Sequence, residues 1–305
     1  MSISLRQIRY FLATAEAGKV SAAASTLGVS QSAVTEAIKV LERETGARLF
    51  RRYANGVALT SEGNQFLLHA RNVTAAVQDA LRAPRQVRVD LAGKVSIGMT
   101  YTVAGYFAPA PLARFRRNFP GIEIELHEMD RHDIEERLVA GTMDLAIILS
   151  SNLHNAAEIE TETLIQSKRR LWLPANHPLS HASRVTLADV APEPYIMLLV
   201  DEAEQTAMNY WHRRGFSPNI VFRTSSVEAV RSMVATGAGV AILSDMVYRP
   251  WSLEGDRIEA RVIDDDVPSM NVGLAWKRGA KLDPCAKALR DFCHVTYNAA
   301  GAVTV

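Results

Sequence analysis

The chain has 305 residues, 48% of them hydrophobic, enough for two or three domains with a real core. No apolar run approaches the ~18 residues that span a bilayer. Arg6 and Arg9 lead into a mixed rather than an apolar stretch, so neither a membrane anchor nor a signal peptide is expected, and the expected compartment is the cytoplasm. The net charge of +1 conceals an asymmetry: residues 1–90 hold 12 Lys and Arg against 7 Asp and Glu, the remainder 22 against 26, as in a basic nucleic-acid-binding head on an acidic body.

Leu5, Ile8, Tyr10, Phe11, Leu12 and Ala15 recur at helical spacing and predict a first helix. Residues 21–46 then read as helix, turn, helix. Ser21 suits an N-cap, and Ala22, Ala23 and Ala24 are strong helix formers small enough for close helix approach. Gly28 falls where a helix end takes a left-handed residue. Ser30 can cap the next helix, which buries Val34, Ile38 and Leu41 and presents Gln31, Ser32, Thr35, Glu36 and Lys39 on its other face. In a helix-turn-helix such a polar N-terminal face enters the DNA major groove, where hydroxyl and amide groups read base edges and Gln suits adenine. By itself the window fits an ordinary helical core equally well.

Residues 49–60 sharpen the choice. Asn55-Gly56 between short apolar stretches predicts a hairpin, with Arg51 and Arg52 placed for phosphates and Asn55 at the tip. Three helices and a two-stranded wing make a winged helix-turn-helix.

Here the chain resembles the LysR-type transcriptional regulators. The resemblance rests on Leu5-Arg-Gln-Ile-Arg-Tyr-Phe11, Ala22-Ala-Ala24, Leu27-Gly-Val-Ser-Gln31, Ile38 with Leu41-Glu42, Gly46 with Leu49-Phe50 and Arg52, and Leu59-Thr60 with Gly63. It extends more weakly to the C-terminus. The chain departs from the family pattern at Val20, Ser32, Glu36-Ala37 and Asn55, where the family favours a larger apolar residue, Pro, a polar-Gln pair and Arg. The resemblance implies a DNA-bending regulator tuned by a small inducer, a tetramer assembled through its effector domains, and leaves room for contact with RNA polymerase.

From Ser61, Phe66, Ala70, Val73, Val77 and Ala80/Leu81 form one apolar stripe over about five turns, and Pro84 ends or kinks the helix. Such a stripe packs on its own head or on the same helix of a second chain. Its length favours pairing, and the resemblance implies a homodimer through residues 61–83.

After Gly93 strands and helices alternate: strand 95–99, a helical stretch carrying Phe107, Leu112, Phe115 and Phe119, strand 122–127, helix 132–140 stopped by Gly141, and strand 144–149. A mostly parallel sheet follows from this alternation. It restarts over 165–268 with strands at 169–173, 195–200, 219–222 and 240–243 and helices at 203–214 and 227–236, and strand 270–276 with helix 283–297 closes the chain. Cys285 and Cys293, eight apart on that helix, form neither a disulfide framework nor a metal motif. The expected fold class is α/β: an N-terminal winged helix-turn-helix (1–60), a linker helix and hinge (61–92), and a two-lobed, periplasmic-binding-protein-like α/β effector domain (93–305). Lobe I takes 93–164 and 269–305, lobe II 165–268.

Ligands of open α/β sheets bind beyond the carboxyl ends of strands. That selects Thr100, Tyr101, Thr102, Asp130, Arg131, Ser150, Val200, Asp201, Thr224 and Ser225 as candidate effector contacts. Arg131 is the expected anchor for a carboxylate, helped by Thr100 and Thr102. Each has a plainer reading: Ser225 with Glu228 as a capping box, Asp130 as the cap of the next helix, Arg131 paired with Asp133 or Glu135. The Asp201-Glu202 pair also fits an amine, so a zwitterion is a second candidate. No P-loop or Gly-x-Ser-x-Gly elbow occurs, and Gly237-Ala-Gly239 precedes a strand, the wrong order for dinucleotide binding. No catalytic residue, metal site or cofactor is expected. An enzyme or an exported solute-binding protein on the same two-lobed fold are the alternatives.

Overall fold

A computed structural model describes residues 3–53, 56–82, 91–298 and 303–304. The chain divides into two compact units, Met1–Val89 and Asp90–Val305.

The first unit holds α1 (Leu5–Ala17), α2 (Val20–Leu27), α3 (Gln31–Thr45), a hairpin of β1 (Phe50–Tyr53) and β2 (Gly56–Leu59), and α4 (Ser61–Arg82). Ser4 and Gln7 form a capping box on α1. The α2 cap is Lys19 rather than Ser21: the helix starts at Val20 after the left-handed Gly18, which leaves Ser21 inside its first turn. Gly28, at φ +65°, ends α2 as expected, and Ser30 caps α3 through its side chain. Ile8, Phe11, Val34, Ile38, Leu41, Leu49, Phe50 and Ala70 form one core, with Phe11 packed against Phe50 and edge-on to Phe66 at 4.9 Å. Leu5, expected in the stripe of α1, is exposed, and Thr14 takes a buried place.

The α4 stripe divides. Ala70 is buried and Phe66 and Leu67 pack on the head, whereas Val73 is exposed. At the start of α4 the backbone of Gly63 passes so close that a Cβ there would lie 2.0 Å from the Leu49 carbonyl oxygen. Asn55 and Pro84 lie outside the described residues.

The second unit carries two lobes. The first is built on β3 (Gly93–Met99), α5 (Tyr101–Tyr106), α6 (Pro109–Asn118), β4 (Ile122–Glu128), α7 (Arg131–Ala140), β5 (Leu145–Leu149) and β6 (Ile159–Ser167). The second has β7 (Arg169–Pro174), α8 (Pro178–His181), α9 (Leu187–Val190), β8 (Pro194–Leu198), α10 (Ala203–Arg213), β9 (Asn219–Thr224), α11 (Val227–Ala235), β10 (Ala241–Ser244) and β11 (Ile258–Arg261). The chain then returns to the first lobe with β12 (Met270–Lys277), α12 (Pro284–Asn298) and β13 (Val303–Thr304).

The first sheet runs β13-β6-β12-β5-β3-β4, with β3 parallel to both β4 and β5 and β12 antiparallel to both β5 and β6. β6 carries this sheet as far as Ser167, so 165–167 belong to the first lobe, and β6 and β11 are strands that the alternation pattern does not announce. The single helical stretch expected around 107–119 breaks at Phe107-Ala108 into α5 and α6. In the second lobe, β10-β7-β11 is antiparallel and β8-β9 parallel, joined where Val240 exchanges backbone hydrogen bonds with Pro194 and Ile196.

The first core collects Val95, Ile97, Leu145, Ile147, Val272 and Leu274 under Phe115 and Leu289. Trp172, Tyr195 and Trp211 anchor the second lobe. Cys285 and Cys293 are free and buried, and burial pushes the Cys293 thiol up to about 12.

Candidate nucleic-acid interface and effector cleft

The head presents its polar face through local chemistry. The Ser30 hydroxyl accepts from Ala33 N–H at 3.2 Å and lies 2.9 Å from the Ser32 hydroxyl, fixing the first turn of α3. Burial of Val34, Ala37, Ile38 and Leu41 then forces Gln31, Ser32, Glu36 and Lys39 outward, with Thr35 half-buried beside them. Glu36 and Lys39 are 4.0 Å apart and both largely exposed, a pairing of little strength.

The wing is held by Glu42, whose Oε1 accepts from the Leu49 and Phe50 N–H groups at 2.8 and 3.2 Å. Thr60 Oγ1 donates to the Arg48 carbonyl and accepts from Gly63 N–H, tying the second strand to α4. β1 pairs with β2 from Phe50↔Leu59 to Tyr53↔Gly56. Alternation along β1 puts Arg52 on the face of Phe50, where it lines a cleft with Thr35, Lys39, Glu42 and Arg48. Arg51 is exposed on the opposite face, so the two arginines, expected together, part company.

At the junction of the two lobes, the candidate effector residues split into a connected group and scattered ones. Thr102 N–H donates to Asp201 Oδ2 at 2.7 Å. Arg131 Nη1 donates to Glu135 Oε1 (2.8 Å) and its Nε to Glu202 Oε1 (2.9 Å). Asn152 Nδ2 donates to the Asp201 carbonyl oxygen (2.8 Å) and to Glu202 Oε2 (3.1 Å). Glu135 also accepts from the His154 and Asn155 N–H groups. Of the plainer readings of Arg131, the pairing with Glu135 holds, but its side chain is only 12% exposed rather than on the surface. The Thr100 hydroxyl is buried without a well-formed hydrogen bond. Tyr106 OH donates to Glu228 across the same junction at 3.0 Å.

The remaining candidates stand apart. Asp130 is exposed at the cap position of α7, yet its side chain caps nothing. Tyr101 and Ser225 are exposed, Ser150 Oγ donates to the Asn271 carbonyl oxygen at 3.4 Å, and Val200 packs on the second-lobe core. Thr224 Oγ1 accepts from Ser226 N–H, and Ser226, not Ser225, caps α11. Asn152 and Tyr106 escaped the sequence reading because no local pattern marks them. Glu135 was legible, one helical turn after Arg131.

Two carboxylates, Glu135 and Glu202, flank the Arg131 guanidinium, and a third, Asp201, is held by Thr102 N–H. Burial works to raise the Glu135 carboxyl, but hydrogen bonds from Arg131, His154 and Asn155 outweigh it and hold Glu135 below the usual range. Asp201 goes the other way: burial raises its carboxyl more than its bonds from Thr102 lower it. Asp201 and Glu202 both have left-handed backbones, φ +51° and +56°. In non-glycine residues this costs about 1–3 kcal/mol each and persists only where surrounding contacts enforce it.

The comparisons with known proteins follow this division. Residues 5–64 match the model of the bacterial regulatory helix-turn-helix proteins of the lysR family, and residues 88–296 match the LysR substrate binding domain. The chain belongs to the LysR family of transcriptional regulators. It is a DNA-binding regulator with an effector-binding domain, and no catalytic function is indicated.

Among the family's members it is 28% identical over 298 residues to the uncharacterized HTH-type transcriptional regulator YnfL of Escherichia coli, covering 95% of this chain and 97% of that one. AlsR of Bacillus subtilis is 27% identical, with coverage of 96% and 95%. The crystal structure of HinK, a LysR family regulator from Pseudomonas aeruginosa, superposes with a TM-score of 0.64 at 28% identity, covering 98% of this chain and all of that one. Among the described residues no helix is long and apolar enough to cross a membrane, and no group of three or more His, Cys, Asp and Glu could hold a metal ion.

Proposed function

We propose that this LysR-family regulator binds operator DNA in the cytoplasm through Ser30, Gln31, Ser32, Thr35, Glu36 and Lys39 on α3, with Arg51, Arg52 and Asn55 of the wing on the backbone. The observation that carries the reading is the exposed polar start of α3 beside the cleft that Arg52 shares with Thr35 and Lys39. Gln31 suits adenine, and Glu36 suits the amino group of cytosine. Residues 1–60 are the DNA-binding domain, 61–92 the linker and 93–305 the effector domain. The exposed Val73 beyond the head core supports pairing of α4 with its copy in a homodimer, and the resemblance extends this to a tetramer and to contact with RNA polymerase.

The effector is a small molecule seated where Thr100, Thr102, Arg131 and Asp201 converge. Anisotropy of the full chain on DNA from upstream of its own gene, against random DNA at several salt concentrations, tests the reading. Salt-dependent preference for the upstream fragment supports it. Equal binding to both at every salt concentration counts against it.

A further inference from the structure

Asp201 and Glu202 together receive four hydrogen bonds from the opposite lobe: from Thr102 N–H, from Arg131 Nε and two from Asn152 Nδ2. A backbone N–H, a guanidinium and an amide NH2 are the donors that recognise a carboxylate. In this chain they are taken by the Asp201 and Glu202 carboxylates and, for one Asn152 bond, by the Asp201 carbonyl oxygen. Beside them the buried Thr100 hydroxyl lies close enough to lower the Asp201 carboxyl yet makes no well-formed bond to it, so it too faces the turn that a ligand would displace. The turn that delivers the two carboxylates has left-handed backbones at two successive non-glycine residues, a conformation it would leave readily once its cross-lobe bonds were replaced.

We propose that the Asp201–Glu202 turn is an internal competitor for the effector: it clasps the first lobe through donors that a carboxylate-bearing small molecule needs, and such a molecule acts by displacing it. The inference rests on placing the effector at this junction. Charge supports displacement over simple addition. Glu135 and Glu202 already pair with Arg131, so an added anion would meet net negative charge, whereas exchange of carboxylate for carboxylate leaves the balance unchanged. The clasp also supplies a reason for signalling, because a ligand must release contacts between the lobes in order to bind. Apparent affinity is then reduced by the fraction of time the turn is closed.

The test uses the full chain and two double variants. Asp201→Gly with Glu202→Gly removes both carboxylates and suits the left-handed backbone, and Asp201→Asn with Glu202→Gln keeps the shape and removes the charge. Hydrogen–deuterium exchange should rise about tenfold in residues 100–106 and 150–155 of the glycine variant and less in the amide variant, while the strand cores 145–149 and 241–244 stay protected. Acetate, succinate and glutarate serve as probes. At least one should restore protection of 100–106 in the variants at about a tenfold lower concentration than in the parent.

Unchanged exchange at 100–106 would overturn the proposal, as would a rise spread evenly over both lobes, which marks a merely structural turn. Protection restored by ethylamine but by no carboxylate, or by no probe at all, would overturn the ligand class. Anisotropy on operator DNA with the same preparations separates this failure from failure of the regulator reading, since only the latter abolishes sequence preference in the parent chain.

Discussion

The two ends of this molecule build their functional surfaces from contacts of very different range. In the head, Ser30 caps a residue 3 positions away, and Glu42 holds backbone groups 7 and 8 positions on. At the lobe junction the decisive bonds span 49, 71, 99 and 122 residues. A short-range surface is encoded by caps, turns and periodicity. A long-range one exists only after two sheets have formed and the chain has crossed between them twice. The head's surface is thus set within a few turns of chain, whereas the junction rests on contacts between distant loops, two of whose residues hold left-handed backbones.

The largest expected effect tests the local stability of the head. Leu41→Ala should cost about 2–5 kcal/mol, because the side chain is fully buried in a small core. Two-transition thermal unfolding should show the head melting earlier and the effector domain unshifted. If both transitions move together, the two units are not independent.

Glu42→Ala comes next. It strips a single carboxylate oxygen shared by two backbone N–H groups, a loss of about 1.5–3 kcal/mol in all because water reaches the half-buried site. Loosening of the wing should appear as faster amide exchange at Leu49 and Phe50, with α1 and α2 unchanged. Unaltered exchange there would mean that the strand pairing alone fixes the wing.

Smaller effects separate reading from holding. Gln31→Ala should reduce discrimination between operator and random DNA by about 1–3 kcal/mol. Arg52→Ala should weaken binding to both alike and flatten the salt dependence by about one unit. Anisotropy on the two DNAs across a salt series checks both, and identical behaviour of the two variants would erase the distinction.

The junction makes the finest prediction, in the pH dependence of effector-domain stability. Glu135 has a lowered pKa in the folded chain, so its contribution is present above the ordinary 4.5 and is lost as pH falls through the lowered value. Asp201 has a raised pKa, so the folded state holds the proton longer and stability falls as pH rises from the ordinary 3.8 through the raised value. Glu135→Gln should flatten the acid limb of a urea-unfolding series. Asp201→Asn should gain stability relative to the parent as pH rises through the Asp201 window. Slopes of the same sign in both variants would show that the two carboxylates titrate as one coupled group.

Much of the fold was legible from residue order. Gly28, Ser30, the α3 stripe and the hairpin over 49–60 each carry a local physical reason, and each named its element correctly, with Gly56 already paired to Tyr53 at the start of the second strand. The Ser21 cap failed because Gly18 turns the chain early enough for α2 to begin at Val20. β6 was missed because its burial does not alternate cleanly: Leu164 and Ile165 are adjacent and both buried, beside a register shift in β12 between Val272 and Gly273. At the junction, Arg131 and Asp201 were legible as charged residues near strand ends. Their pairing was not, because it is decided by which loops the second sheet brings opposite the first.

By itself, then, the sequence determined the winged head, the family and the alternation of strands and helices, since these follow from spacing, capping and burial over a few turns of chain. Only the tertiary structure decided that Arg52 shares a cleft with Thr35 and Lys39, that Val73 lies exposed beyond the head core, and that Arg131 is held by Glu135 and Glu202. The physical reason is one of range. Side-chain periodicity fixes which face of an element is buried, but a partner 71 residues away is fixed by the packing of whole sheets, which no local pattern records.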